Sequence, residues 1–194
     1  MLEKEEVIKH FRETDAFLEG HFILSSGLHS PGYLQCALAL QYPADAARFG
    51  REIAERNLDL GMHTVASPAI GGLVIGHATA AALNVRFLWT ERQNGEMTLR
   101  RGFTLSPGER ILVVEDVITT GGSTRECIAA LESAGGNVVA AASIIDRSNG
   151  AADVGVPRIA LAELDIPVYQ PASCPLCEAG EPAVKPGSRT AASS

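Results

Sequence analysis

The stretch ILVVEDVITTGGST, residues 111–124, decides how this chain folds. Its opening aliphatic run, Ile111 to Val114, has no polar alternation, the pattern of a strand covered on both faces of a sheet. Two acids, Glu115 and Asp116, stand at the carboxyl end of that strand, and a Thr-Thr-Gly-Gly-Ser-Thr turn then opens a helix. Such a turn presents consecutive backbone N–H groups and several hydroxyls at a helix N-terminus, which cradles a phosphate monoester. The two carboxylates would repel a phosphate, but they accept hydrogen bonds from a vicinal diol. Acids and cradle together suit a sugar phosphate. Any strand-to-helix turn can carry threonine, glycine and an acidic cap, but the full run from Val113 to Ser123 goes well beyond that. Neither a Gly-Lys-Ser/Thr element nor a GxGxxG fingerprint is present, which excludes a P-loop NTPase and a dinucleotide-dependent dehydrogenase.

Outward from this stretch the chain alternates strand and helix. Upstream are a strand at His63–Ala66, a glycine-bearing turn at Ser67–Gly72, a small-residue helix at Leu73–Leu83 and a strand at Val85–Trp89. Downstream are a helix at Ser123–Ala134 and a strand at Asn137–Asp146. Alternation of this kind makes a mostly parallel, Rossmann-like α/β sheet flanked by helices, with ligands bound beyond the carboxyl ends of its strands. Both glycine-rich turns fall on that edge. Closer to the amino terminus, Val7, Ile8, Phe11 and Leu18 fit one helix over residues 3–18, and HFILSSGLHSPGYLQCALAL (21–40) reads as two short strands around a turn. Pro43 and Asp45 open a second helix, ending near Asn57. Residues 90–109 interrupt the pattern with Arg92, Arg100, Arg101 and an Asn94-Gly95 turn, as a solvated hairpin or a mobile functional element. The composition of GEPAVKPGSRTAASS (180–194) is that of a frayed tail.

With 194 residues, one domain with a small appendage is expected. Hydrophobic residues at 46% and charged residues at 20% suit a packed core. A net charge of -7 supplies no basic face for nucleic acid or an anionic membrane. No apolar run is long enough for a membrane span, and MLEKEEVIKHF reads as an acidic amphipathic helix, so a cytoplasmic location is expected. Lys4, Lys9 and Lys185 are the only lysines, so positive charge between residues 10 and 184 comes from arginine alone.

The segment 111–124 resembles the phosphoribosyl pyrophosphate (PRPP) motif of the type I phosphoribosyltransferases: a hydrophobic strand, two acids, two aliphatics, then a Thr/Ser/Gly loop. Within that superfamily the chain is similar to the orotate phosphoribosyltransferases from about residue 10 to 187. HFILSSGLHSPGYLQ (21–35) matches their amino-terminal Ser-Gly-x-x-Ser-Pro-x-Tyr segment, SPAIGGLVIGHATAAAL (67–83) their pyrophosphate turn and helix, and IIDR (144–147) their late strand. The resemblance implies an amino-terminal helix and hood (1–43), a phosphoribosyltransferase core (44–170), and a carboxy-terminal CxxC segment with a flexible tail (171–194). It also implies transfer of ribose 5-phosphate from PRPP to orotate, with Mg2+ held mainly by PRPP and water rather than by a direct protein ligand.

By position, Glu115, Asp116, Val117, Ile118, Thr119, Thr120, Gly121, Gly122 and Ser123 would bind the ribose 5-phosphate, with the two acids on the 2′ and 3′ hydroxyls. Ile70, Gly71 and Gly72 would meet the pyrophosphate, while Thr119, Arg147 and Ser26 would contact orotate. Arginine suits that base because its fork matches a carboxylate. The plainer reading makes Arg147 a partner for Asp146 or a surface cation. Where many members carry lysines, this chain has Ser25, Gly71 and a loop without lysine or histidine. The catalytic candidates are therefore Arg92, Arg100 and Arg101 of that loop, together with Asp116, the loop closing over the site of a homodimer.

Two competitors stay open: a phosphoribosyltransferase for another base, and a regulator that senses PRPP and binds nucleic acid. Cys174 and Cys177 have the spacing of half a zinc site, and with no second ligand pair evident nearby, two reduced, partly buried thiols are expected. His21, His29, His63 and His77 show no ligand spacing, and His77 reads as a packing residue. Phe87 and Trp89 read as core packing at a strand end.

Overall fold

A computed structural model describes residues 2–24 and 26–186. Ser25, and the part of the expected tail beyond residue 186, lie outside the described residues. Six strands form the main sheet in the order β5-β4-β3-β6-β7-β8. They are β3 (Thr64–Pro68), β4 (Arg86–Gln93), β5 (Glu96–Leu99), β6 (Arg110–Ile118), β7 (Asn137–Asp146) and β8 (Arg158–Glu163). All neighbours are parallel except the β4–β5 hairpin. β8 falls where the sequence predicts no element, and it pairs parallel with the edge of β7.

Successive residues of β6 are buried on opposite faces of the sheet. Leu112 and Val114 pack with α3 (Pro43–Glu55) and α4 (Gly72–Leu83), while Ile111 and Val113 pack with α5 (Gly122–Ser133). The sheet is thus sandwiched by helices. Ile111, Leu112, Leu131, Ile144 and Ile145 are fully buried. Each such side chain stabilises the fold by about 1.5–3 kcal/mol relative to exposure.

The amino-terminal helix is shorter than its apolar spacing suggests. α1 covers Lys4–Glu13 and stops where Asp15 adopts φ 54°; Leu18 then belongs to β1 (Phe17–Ile23). β1 pairs antiparallel with β2 (His29–Leu34) in a separate two-stranded hairpin, and CALAL forms a short helix, α2 (Cys36–Leu40). The hairpin also holds the end of the chain. Val184 N–H donates to His21 O at 2.8 Å and Ile23 N–H to Val184 O at 2.8 Å, so residues 180–186 are tied down rather than frayed. The CxxC segment includes the four-residue helix α6 (Pro175–Glu178).

Within residues 90–109 a hairpin forms: β4 and β5 are joined at Asn94-Gly95, both with positive φ. β6 runs three residues beyond Glu115, to Ile118, so Asp116 as well as Glu115 lies within the strand.

Candidate phosphoribosyl site

The carboxyl ends of β3 and β6 bring the two glycine-rich turns into contact. A Cβ at Gly71 would lie 2.8 Å from Asp116 Oδ1, and one at Gly72 would lie 2.8 Å from Val114 O and 3.2 Å from Glu115 Oε2. Only residues without side chains let the 69–72 turn sit directly on the acids. Gly71 thus occupies a position where a longer side chain has no room without moving Asp116.

Glu115 is 7% exposed and Asp116 half-buried. Burial, reinforced by the neighbouring Asp116 charge, pushes the Glu115 carboxyl up to about 9. Asp116 is also raised by burial, but hydrogen bonds from Val117 N–H, the Cys36 thiol and the Glu115 carboxyl favour its charged form. Burial thus favours the neutral form of Glu115 at neutral pH. Cys36, buried on α2, has its thiol raised by burial and by Asp116.

After β6 the backbone turns through Gly121, whose φ of 74° makes it the N-cap of α5. A Cβ there would lie 2.9 Å from Val154 Cγ1, so both conformation and space require glycine. Gly121→Ala should lower stability by about 1–3 kcal/mol through strain and overpacking. Urea denaturation measures this, and an unchanged midpoint would show that the turn relaxes freely. Arg125 braces the turn by donating from Nη1 to Thr120 O at 3.0 Å and Asp153 O at 2.6 Å. Thr119, Thr120 and Ser123 remain exposed beside the first amides of a 12-residue helix.

A cavity of about 590 Å³ adjoins this loop. Val117, Thr119, Thr120 and Arg147 line one side, and Leu24, Ser26 and Tyr33 of the amino-terminal hairpin region another. Arg147 is half-buried, donates from Nη2 to Ser30 Oγ at 3.1 Å, and has its guanidinium pKa lowered by desolvation. Asp146 is not its partner: that carboxylate takes Arg158 Nη1 at 2.6 Å and the Ser148 hydroxyl at 2.6 Å. Among the described residues Arg147 forms no ion pair, which leaves a desolvated fork facing a cavity.

Other candidates are placed differently. Ile118 is buried in the core and its carbonyl accepts Arg147 N–H, so neither group is directed at the loop. Ile70 is 84% exposed at the tip of its turn. The loop arginines are not gathered at the acids. Arg92 pairs with Glu126, Arg101 pairs with Glu91 at 2.7 Å and 3.1 Å, and Arg100 lies 3.6 Å from the same Glu91. Trp89 meets Phe103 edge-on at 4.8 Å between centroids, as packing rather than a base platform. His77 is exposed with its ring against Phe87, so it is not the satisfied packing residue its helix suggests.

A family model described as a phosphoribosyl transferase domain matches residues 41–158. The chain belongs to the phosphoribosyltransferase family. It is 52% identical over 186 residues to an orotate phosphoribosyltransferase of Pelotomaculum thermopropionicum, covering 96% of this chain and 98% of that one. A second relative with the same name, from Rhizorhabdus wittichii, is 53% identical over 190 residues, covering 96% and 97%. Among solved structures, orotate phosphoribosyltransferase from Aeropyrum pernix superposes with a TM-score of 0.67 at 30% identity, covering 81% of this chain and 93% of that one.

The cavity walls Tyr33, Ile166 and Val168, the thiol of Cys36 and the Asp146–Arg158 pair carry no sequence signal of their own. Each depends on contacts between segments far apart in the chain. In this phosphoribosyltransferase the only local hint was the SPGY run, which places Tyr33 on β2.

Proposed function

We propose that the chain is an orotate phosphoribosyltransferase, transferring ribose 5-phosphate from PRPP to orotate to give orotidine 5′-phosphate and pyrophosphate. The observation that carries the choice of base is Arg147, half-buried at the cavity without an acidic partner among the described residues. A neutral purine or uracil would leave that desolvated cation unmatched, whereas the orotate carboxylate accepts its fork. The formal charge of -7 speaks against the nucleic-acid-binding regulator.

In this reading the loop from Thr119 to Ser123 and the first amides of α5 hold the 5-phosphate. Glu115 and Asp116 accept the ribose hydroxyls and fix the sugar so that its anomeric carbon faces orotate. Breaking the bond at that carbon builds positive charge on the ribose and negative charge on pyrophosphate, so positioning and electrostatics matter more than a nucleophile. The donor set near the acids is hard oxygen, which fits magnesium carried by PRPP and water. Bound magnesium supplies charge neutralisation of the leaving group. Thr119 and Ser26 flank orotate, and the turn at 70–72 offers backbone to the pyrophosphate.

The β4–β5 hairpin delivers Arg92, Arg100 and Arg101 to the pyrophosphate by exchanging Glu91 and Glu126 for the leaving group, and closure excludes water. Arg92→Ala and Arg101→Ala should then each lower kcat about 10-fold or more with little change in PRPP affinity. Unchanged turnover in both removes the hairpin from the reaction. A homodimer is supported by the open apolar groove of Val74, Ala78, Ala81 and Ala82 on α4 against Pro43 and Ala47 on α3. No described helix is long and apolar enough to cross a membrane, in keeping with a cytoplasmic enzyme. Pyrophosphate release from PRPP and magnesium, screened with orotate, uracil, adenine, hypoxanthine and xanthine, tests the reading. Orotate alone should support release; equal release with a neutral base would overturn the assignment.

A further inference from the structure

Four side chains that take no part in the phosphoribosyl site converge at the base of the amino-terminal hairpin. His21 on β1, His29 on β2, and Cys174 and Cys177 around α6 place one ligand-capable atom each within 4.8 Å of all the others. His21, His29 and Cys174 are 5%, 8% and 1% exposed, while Cys177 reaches the surface. The spacing of the two histidines gives no hint of this, because they lie on separate strands; pairing of β1 with β2 brings them together.

We propose that His21, His29, Cys174 and Cys177 form a tetrahedral structural zinc site that fastens the carboxy-terminal segment to the hairpin. Three of the six separations are those of a tetrahedron's edges, and all lie within 4.8 Å. Cys174 Sγ lies 3.6 Å from His21 Nε2, Cys177 Sγ lies 3.8 Å from the same nitrogen and 3.3 Å from His29 Nδ1, and the two ring nitrogens are 2.7 Å apart. Zinc–sulfur bonds of about 2.3 Å and zinc–nitrogen bonds of about 2.0–2.1 Å set tetrahedral edges of roughly 3.3–3.8 Å. These three cysteine-to-histidine distances already fall there, and the close nitrogen pair needs to open by roughly half an ångström.

Proton bookkeeping at His21 points the same way. Its Nδ1 lies 2.7 Å from Glu181 O, and a carbonyl can only accept, so Nδ1 carries the hydrogen. In the neutral ring, Nε2 is then a bare lone pair aimed at His29 and both sulfurs. Fixing the outer nitrogen on a backbone carbonyl is also how ligating histidines are oriented. Two thiolates and two imidazoles favour zinc over magnesium or calcium, and with all four positions filled by protein the site is structural rather than catalytic. Binding releases the two thiol protons, so affinity rises with pH.

The position gives the site a purpose. Its histidines flank residues 22–28, and Leu24, Ser26 and Leu28 of that segment line the cavity described above. The same base is laced by paired backbone bonds, with His29 N–H donating to Tyr169 O at 2.9 Å and Tyr169 N–H donating to His29 O at 2.8 Å. The metal would lock one wall of the cavity to the end of the chain.

The test uses the full chain, purified without chelator or affinity histidines. Elemental analysis should find about one zinc per chain, matching one four-ligand site. Cobalt added to metal-free protein should give a thiolate-to-cobalt charge-transfer band with intense tetrahedral d–d bands. Because Cys177 is exposed, Cys177→Ser should still fold, and it should lose about half of the charge-transfer intensity, one of two thiolates. Should Cys177→Ser misfold, the cobalt spectrum of the native chain decides alone. Metal-free protein with two titratable thiols and only weak octahedral cobalt bands would overturn the site. So would a Cys174–Cys177 disulfide in fresh protein, or zinc content and spectrum unchanged in Cys177→Ser.

Discussion

Replacing both acids, Glu115→Gln with Asp116→Asn, should lower kcat/KM for PRPP by about 10–10³-fold, since a hydrogen bond is worth about 0.5–1.5 kcal/mol at a neutral group such as protonated Glu115 and about 1.5–3 kcal/mol at a charged one such as Asp116. The same change should make the ligand-free protein more stable in alkaline buffer. The sign follows from the direction of the shift. Burial and the Asp116 charge raise Glu115 to about 9, above the roughly 4.3 of an unfolded chain. A group whose folded pKa is raised contributes stability that is fully present below the unfolded value and lost as pH rises through the folded one. Wild-type Tm should therefore decline from about pH 5 toward 9 because of this carboxyl, and a chain carrying Glu115→Gln should lack that part of the slope. Glu52, Glu109 and Asp146, all lowered by hydrogen bonds or arginine partners, act in the opposite sense and lose their contribution on acidification. Melting curves at several pH values separate the two groups. A variant that keeps full activity, or shows the wild-type alkaline decline, would contradict the role assigned to the pair.

Arg147→Ala should lower kcat/KM for orotate by about 10²–10³-fold while PRPP affinity stays within a few-fold. Truncating one partner of a buried, hydrogen-bonded charge pair costs about 2–5 kcal/mol. Arg147→Lys should recover only part of the loss, because an ammonium carries the charge without the planar fork. The neighbouring ion pair is a natural control. Arg158 already neutralises Asp146 at 2.6 Å, so losing Arg147 strands no carboxylate, and Tm should stay near the wild-type value. Equal damage to PRPP and orotate kinetics would mean that Arg147 supports the site as a whole rather than reading the base.

The sheet and its ligand edge were legible in the chain because local chemistry wrote them there. The continuous aliphatic run on β6, the paired acids and the Gly-Gly turn each carry their meaning within a few residues, and β7 falls at the expected bounds. Errors arose where a neighbour in space overrode the local pattern. Leu18 satisfies a helical stripe with Phe11 but goes into β1 because β2 pairs with it. The site shows the same division. The need for glycine at Gly71 is visible only when Asp116 is seen 2.8 Å from where its Cβ would be. The CxxC pair looked incomplete because its companions lie 153 residues away in sequence, at His21, and nearly as far at His29. The loop arginines read as catalytic candidates from the sequence, yet Glu91 and Glu126 pair with them.

The acidic chain also fits a substrate rich in phosphate once charge is considered locally. In the proposed reading, amides at the head of α5, the Arg147 fork, which has no acidic partner among the described residues, and a cation carried by PRPP would replace bulk basicity. The most direct measurement is orotate consumption by the purified protein with PRPP and magnesium, with products identified. Each orotate consumed should yield orotidine 5′-phosphate and pyrophosphate in equal amounts, and the double acid variant should be markedly slower. Intact orotate after prolonged incubation with folded protein would contradict this assignment.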